Sequence, residues 1–123
     1  MTIEKSEYDF LKRVSQVIFD KKGFNIVTID VREISTLTDF FIIAEGNVDQ
    51  HVKAIIDAVE EKGGRKPLNI DGAKSGGWML LDYGSCIVHV MTSEFRERYA
   101  LEQVWKEGKI VDIPLEIEED SDE

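Results

Sequence analysis

Three carboxylates, Asp30, Asp39 and Asp82, stand at the ends of segments that look like β-strands. Two acids that face one cleft can hold the metal ion of an enzyme that transfers nucleotidyl groups. Acids at such positions more often cap turns or face water. Metal-dependent nucleotidyl transfer is therefore an alternative function and not the leading one.

Ser85, His89 and Asp82 have the residue types of a hydrolase triad, and Cys86 with His89 has those of a thiolate pair. A hairpin turn at Ser85 supplies neither a nucleophile elbow nor an evident oxyanion hole, so hydrolysis is disfavoured. Cys86 and His89 lie three positions apart on one strand and hence on opposite faces, which disfavours the thiolate pair.

The common cofactor signatures are missing from the sequence. Residues 72–77 (GAKSGG) lack the spacing of a phosphate-binding loop, and no GxGxxG motif occurs. One cysteine and two histidines cannot supply the four ligands of a zinc site. We therefore expect a protein that is not an enzyme, with no catalytic residue, no metal and no cofactor.

The charge balance favours a protein partner over nucleic acid. The 123 residues include 25 acids and 15 lysines and arginines, a formal net charge of −10. Binding to a phosphate backbone normally needs a basic stripe, which disfavours DNA, whereas a cationic protein surface suits an acidic body. The single cysteine, the lack of a ~20-residue apolar run and the polar N-terminus predict a cytoplasmic protein without membrane contact.

Helices are predicted where apolar residues recur at helical spacing. The first covers residues 8–18, with Ser6 as a cap and Gly23 as a left-handed stop. The second covers residues 52–59, behind a capping box formed by Asn47 and a glutamine three residues later. A last helical stretch opens with Ser93 and Glu94, and its apolar contacts are Phe95, Tyr99, Leu101, Val104 and Trp105.

Five strands are predicted, at residues 25–31, 39–44, 65–71, 78–82 and 86–91. The second is a nearly continuous apolar run, typical of a strand covered on both faces, and Pro67 favours an edge position for the third. The order of elements predicts an α/β (α+β) fold, a mixed five-stranded sheet with helices mainly on one side. We expect one domain over 1–107 and an acidic extension over 108–123, with seven acids and one lysine, that is flexible at its end.

The last two strands form a hairpin around Tyr83, Gly84 and Ser85, and its register decides which side chains share a face. With a two- or four-residue turn, one face holds the core set Met79, Leu81, Cys86, Val88 and Val90. The other face then holds Trp78, Leu80, Asp82, Ile87, His89 and Met91. An apolar face with two ionisable groups suits a surface that is buried against a partner. Helices that cover this face too would explain the pattern equally well, and a three-residue turn would undo the assignment.

Four blocks of residues carry a resemblance to a known family. They are Asp30-Val31 before Ser35, Thr38-Asp39-Phe40-Phe41-Ile42-Ile43-Ala44 and Gly46; then Trp78 and Leu81-Asp82-Tyr83-Gly84; then Val88-His89-Val90; and finally Arg98-Tyr99, Leu101-Glu102 and Trp105. Together they resemble the ribosomal silencing factor family, also called the Iojap-like family, over roughly residues 5–106.

The resemblance implies a domain similar to the nucleotidyltransferase fold but without its catalytic motif, and a homodimer when free. It also implies a translational repressor that binds the large ribosomal subunit through ribosomal protein number fourteen, so that the small subunit cannot join. A minor contact with rRNA is compatible with this function. A metal-dependent nucleotidyltransferase and a dimeric scaffold remain the alternatives.

Seven residues are expected to bind the partner. The resemblance assigns Trp78, Asp82, Tyr83 and His89, and strand geometry adds Leu80, Ile87 and Met91. Two features stay open at this level. The acidic segment after Trp105 is expected to extend past the family's usual end, and the arginines of residues 93–98 either contact rRNA or pair within the fold.

Overall fold

A mixed β-sheet with two long helices on one face organises the chain. The computed structural model describes residues 2–72, 77–98 and 106–117. Its elements are α1 (Lys5–Asp20), β1 (Phe24–Asp30), β2 (Phe40–Glu45), α2 (Asp49–Lys62), β3 (Asn69–Asp71), β4 (Trp78–Asp82), β5 (Cys86–Met91), α3 (Ser93–Arg98) and β6 (Lys109–Val111). These strands lie in the order β3-β4-β5-β2-β1-β6, and only β2 and β5 pair in parallel. No helix in the described ranges is long and apolar enough to cross a membrane.

Helix α1 is longer than its apolar repeat predicted, and its ends differ from the expected ones. It begins at Lys5 without a side-chain cap, so the predicted Ser6 cap is wrong. At its C-terminus the residue in the left-handed region is Lys22, with φ 71°, and not the predicted Gly23. Gly23 comes next and donates its N–H to the carbonyl oxygen of Ile18 at 2.9 Å. A Cβ at Gly23 would lie 2.5 Å from the Ile18 side chain, so close approach is what requires a glycine there.

A tertiary contact replaces the predicted cap of α2. The helix begins at Asp49, after Val48, and has no side-chain cap, so the predicted Asn47 capping box is wrong. Instead, Nδ1 of His51 accepts the backbone N–H of Asn47 at 2.9 Å, and Nε2 lies 2.8 Å from the carbonyl oxygen of Lys21. His51 thereby ties the start of α2 to the end of α1.

The main core lies between the sheet and the two long helices. Alternate residues of the central strands point toward the helices: Phe40, Ile42, Ala44, Met79, Leu81, Cys86, Val88 and Val90. They pack against the apolar sides of α1 and α2, so the predicted fold class with helices mainly on one side is confirmed. We call the opposite side of the sheet the open face. Its buried cluster is smaller and consists of Ile29, Val31, Ile43 and Met91.

The sheet has six strands in the described part of the chain, so the prediction of five is wrong. The additional strand is β6, which pairs antiparallel with β1 and places Val111 opposite Thr28. Val111 and Ile113 pack against the main core, and the Tyr8 hydroxyl donates to the carbonyl oxygen of Asp112 at 3.2 Å. Three residues are too few to show an alternating pattern, which is why the sequence analysis predicted only an acidic extension in this region.

Candidate docking surface on the open face

The hairpin of β4 and β5 has the register that a two-residue turn produces. Tyr83 donates its N–H to the carbonyl oxygen of Cys86 at 2.8 Å, and Gly84 between them has φ +83°. The paired residues on the open face are Trp78 with Met91, Leu80 with His89, and Asp82 with Ile87. The predicted division of the hairpin into two faces is therefore confirmed.

Aromatic rings gather at the centre of the open face. Trp78 donates its indole N–H to Nδ1 of His89 at 3.1 Å. The ring centroid of His89 lies 5.9 Å from that of Trp78 and 5.4 Å from that of Phe41, and Phe95 of α3 lies 6.3 Å from Trp78. All four side chains are partly buried. We call Phe41, Trp78, His89 and Phe95 the aromatic cluster.

Phe41 was missed by the sequence analysis because β2 reads as a continuous apolar run. Its neighbours Phe40 and Ile42 belong to the main core, which places Phe41 on the open face. Parallel pairing of β2 with β5 sets Phe41 beside Ile87. Side chains alternate between the two faces along a strand. This alternation would have assigned Phe41 to the open face if the start of β2 and the face covered by the helices had been known.

His89 is a neutral hydrogen-bond acceptor in this cluster. Burial lowers its pKa to about 4, because a charged imidazolium loses its hydration there. Since Nδ1 accepts the indole N–H of Trp78, that nitrogen carries no proton. The surface around Trp78 is thus uncharged at neutral pH, and the carboxylate of Asp82 stands on the same face.

The open face is only partly covered within the described residues. The helices α1 and α2 pack on the other face, and α3 contacts β5 at one end of the open face. Trp78, Leu80, Ile87 and His89 keep part of their surface exposed. Met91 does not, because its side chain is fully buried in the cluster against which Trp78 and Phe95 pack. Met91 therefore belongs to the buried layer on which Trp78 and Phe95 pack.

Tyr83 is not brought together with the other candidate residues. Its side chain is 9% exposed and lies in the main core on the helix side, where its ring meets Phe10 edge to face at 4.9 Å. Burial raises the pKa of its phenol to about 12, and the hydroxyl has no hydrogen-bond partner among the described residues. Tyr83 follows Leu81 by two positions, so strand alternation already indicated the helix side.

The candidate catalytic residues are engaged in other contacts. The Ser85 hydroxyl donates to a carboxylate oxygen of Glu7 at 2.8 Å and is not bonded to His89. One carboxylate oxygen of Asp82 accepts the N–H of Gly84 at 2.8 Å, which closes the hairpin turn. Cys86 is buried on the helix side, opposite His89 as predicted, and burial raises the pKa of its thiol.

The strand-end acids do not form a metal centre in the described part of the chain. Asp30 forms an ion pair with Arg32 at 2.7 Å, and hydrogen bonds from that guanidinium lower the pKa of the carboxyl. Asp39 is exposed at the start of β2. No group of three or more histidines, cysteines or acids that could hold a metal occurs among these residues. The geometry thus supplies an apolar, partly exposed surface with a carboxylate on it.

Comparisons with known proteins agree with the resemblance. The family model described as "Ribosomal silencing factor during starvation" matches residues 4–123. The ribosomal silencing factor RsfS of Halalkalibacterium halodurans is 30% identical over 111 residues, which are 88% of this chain and 95% of that protein. A crystal structure of a Chromobacterium violaceum protein aligns with a TM-score of 0.75 at 28% identity, over 95% of this chain and 98% of the other.

Another relative, matched over a smaller part of its length, comes from mouse. The protein named mitochondrial assembly of ribosomal large subunit protein 1 is 31% identical over 87 residues, which are 66% of this chain and 38% of that protein. The family match also includes the acidic C-terminal segment. The expectation that this segment extends past the family's usual end is therefore wrong.

Proposed function

This chain belongs to the ribosomal silencing factor family, and we propose that it represses translation by binding the large ribosomal subunit and preventing the small subunit from joining. The contact runs through ribosomal protein number fourteen, and the protein acts in the cytoplasm. The name of the mouse relative, which refers to the ribosomal large subunit, supports the choice of subunit.

The observation that carries the proposal is the apolar, partly exposed surface on the open face. Trp78, Leu80 and Ile87 offer apolar anchors there, and Asp82 offers a carboxylate that suits a cationic partner. Repression by occupancy needs position and affinity and no reaction. An interface of about 1,600 Å² in total is enough for stable binding of this kind.

Subunit joining tests the proposal directly. We expect that the purified chain, mixed with separated ribosomal subunits, keeps them apart in a sucrose gradient. Leu80→Glu should abolish this effect, because it puts a charge into the apolar surface. The matched control is Leu68→Glu, since Leu68 is 76% exposed and precedes the edge strand β3. Joining that proceeds unhindered with the unaltered chain, or equal behaviour of the two variants, would contradict the proposal.

A dimeric scaffold is the second candidate, because the same apolar face is suited to self-association. We expect the free chain to be a homodimer. Light scattering of the unaltered chain and of Trp78→Ala separates the two uses of the surface. A variant that becomes monomeric and still binds ribosomes would assign the open face to the dimer, whereas a variant that loses ribosome binding assigns it to the ribosome.

A further inference from the structure

A buried ion pair between Arg96 of α3 and Glu45, the last residue of β2, holds α3 against the sheet. Nη1 of Arg96 donates to a carboxylate oxygen of Glu45 at 2.8 Å and to the carbonyl oxygen of Asn25 at 2.8 Å. The second carboxylate oxygen of Glu45 accepts the hydroxyl of Ser93 at 2.5 Å. The side chains of Glu45 and Arg96 are each only 7% exposed. Both ends of the pair are therefore held by directional bonds away from bulk water.

This network fixes the rotation of the helix about its axis. Ser93 and Arg96 are three residues apart, hence on the same side of α3, and both contact the one carboxylate of Glu45. Charge-assisted hydrogen bonds in a buried setting are strong and directional. Because both bonds hold α3 to one carboxylate of β2, they help to set where the opposite side of its described part points.

The other side of α3 carries Phe95, which fits closely against the start of β4. A Cβ at Gly77 would lie 2.3 Å from the Phe95 ring, so the ring occupies the space that a side chain would need. Trp78 follows directly, with its ring centroid 6.3 Å from that of Phe95. The indole thus lies between Phe95 and His89, and His89 also binds its N–H.

We propose that the Glu45–Arg96 pair positions Trp78 for docking, because it holds α3 so that Phe95 limits the motion of the indole. Arg96 and Glu45 are positioning residues that act through Phe95. The expected consequence is tighter ribosome binding, and this consequence rests on the proposed function. Immobilising one large side chain before binding is worth roughly a two- to tenfold gain in affinity.

The two arginines of α3 lie in different environments. Arg96 is buried and pairs within the fold, whereas Arg98 is exposed and lies 3.9 Å from Glu94. The sequence left open whether arginines of this segment contact rRNA or pair within the protein. Arg96 pairs within the protein.

Fluorine NMR on the full chain, labelled with 5-fluorotryptophan, tests the position of Trp78. The spectrum of Trp78→Phe assigns its resonance. We expect Arg96→Met to broaden or shift this resonance and to weaken binding to isolated large subunits by roughly two- to tenfold. Arg96→Lys keeps the charge and should have a smaller effect on both readings. Gly77→Ala leaves the ion pair intact but displaces Phe95, and it keeps the test valid if Arg96→Met does not fold.

The control variant is Val59→Ala, which removes core volume under α2 on the other side of the sheet. It should lower stability and leave both the Trp78 resonance and ribosome affinity unchanged. An unchanged resonance in folded Arg96→Met and Gly77→Ala would overturn the positioning role, as would equal loss of affinity in Val59→Ala. If the unaltered chain binds no large subunit while the variants still shift the resonance, the proposed function fails and the positioning of Trp78 stands.

Discussion

At the scale of single residues, Trp78 and His89 act as one unit. The indole needs an acceptor for its N–H, and a neutral imidazole supplies one at 3.1 Å. This arrangement satisfies a polar group on an apolar surface without adding a charge. The ring of Trp78 is then the largest partly exposed apolar side chain on the open face, so we expect it at the centre of the proposed interface.

The first prediction concerns Trp78 itself. We expect Trp78→Ala to cost about 2 kcal/mol or more of binding free energy to the large subunit, because it removes a central aromatic anchor. Co-sedimentation over a range of concentrations measures the loss. Leu68→Ala removes an exposed apolar side chain that precedes β3 and lies outside the aromatic cluster, so it serves as the control. Equal affinity of Trp78→Ala and the unaltered chain would exclude Trp78 as an anchor.

The second prediction concerns the charge of His89. Proton NMR of the imidazole should give a titration midpoint near pH 4, and the spectrum of His51→Gln assigns the signals. In the unfolded chain a histidine titrates near pH 6.5. Between these values the unfolded state binds more protons, so stability rises with pH there and is lost as the pH falls toward 4. A midpoint near 6.5 in the folded protein would contradict the buried acceptor role.

The loss of stability at low pH that is due to His89 is measurable as a difference between the unaltered chain and a variant. We expect the free energy of unfolding of the unaltered chain to fall by at most about 3 kcal/mol more than that of His89→Phe between pH 7 and pH 4. Chemical denaturation at both pH values measures it. Between pH 7 and pH 8 His89 stays neutral, so its contribution to stability and to docking should be constant.

At the scale of elements, the C-terminal segment completes the sheet. β6 covers the edge of β1, and the residues after it lie along α1, where Gln16 bonds the backbone of Glu116 through both its amide atoms. An uncovered strand edge is a site for unwanted pairing with other chains. The segment is acidic in sequence, yet its residues 109–117 are part of the folded body.

The third prediction follows from these contacts. A chain truncated after residue 107 should lose about 2–4 kcal/mol of unfolding free energy, since the strand pairing and the partly buried Val111 and Ile113 are removed. Truncation after residue 117 is the matched control and should leave stability unchanged. Thermal and urea unfolding compare the two. Equal stability of both shortened chains would show that β6 contributes nothing to the fold.

At the scale of the whole molecule, the acidic charge selects the class of partner. A formal charge of −10 repels phosphate backbones and attracts a basic protein over long distances. Steering of this kind acts on the association rate and is screened by salt. In the proposed complex, the apolar surface of the open face would then set the dissociation rate.

The fourth prediction uses the different effects of charge on the association rate and of the apolar surface on the dissociation rate. The association rate with isolated ribosomal protein number fourteen should fall roughly tenfold or more between 50 and 300 mM salt, while the dissociation rate changes little. Stopped-flow measurements give both rates. Removal of residues 118–123, which carry five acids, should weaken the salt dependence. An association rate that does not respond to salt would contradict electrostatic steering.

The sequence by itself determined much of this protein because local patterns follow fixed periods. Helical spacing predicted the cores of α1 and α2, and alternation in β4 and β5 predicted both faces of the hairpin. The net charge and the missing cofactor signatures limited the expected partners. The four motif blocks led to the family, and the match over residues 4–123 confirmed it.

Only the tertiary structure decided which residues meet across long stretches of chain. It paired β6 with β1, put Phe41 beside Ile87 and buried Met91. It also brought Glu45 and Arg96 together across 51 positions. A local period specifies how side chains alternate, but it contains no information on which distant strand lies alongside or which face a helix covers. Those choices depend on packing of the whole core, where each contact is stable only because the others form as well.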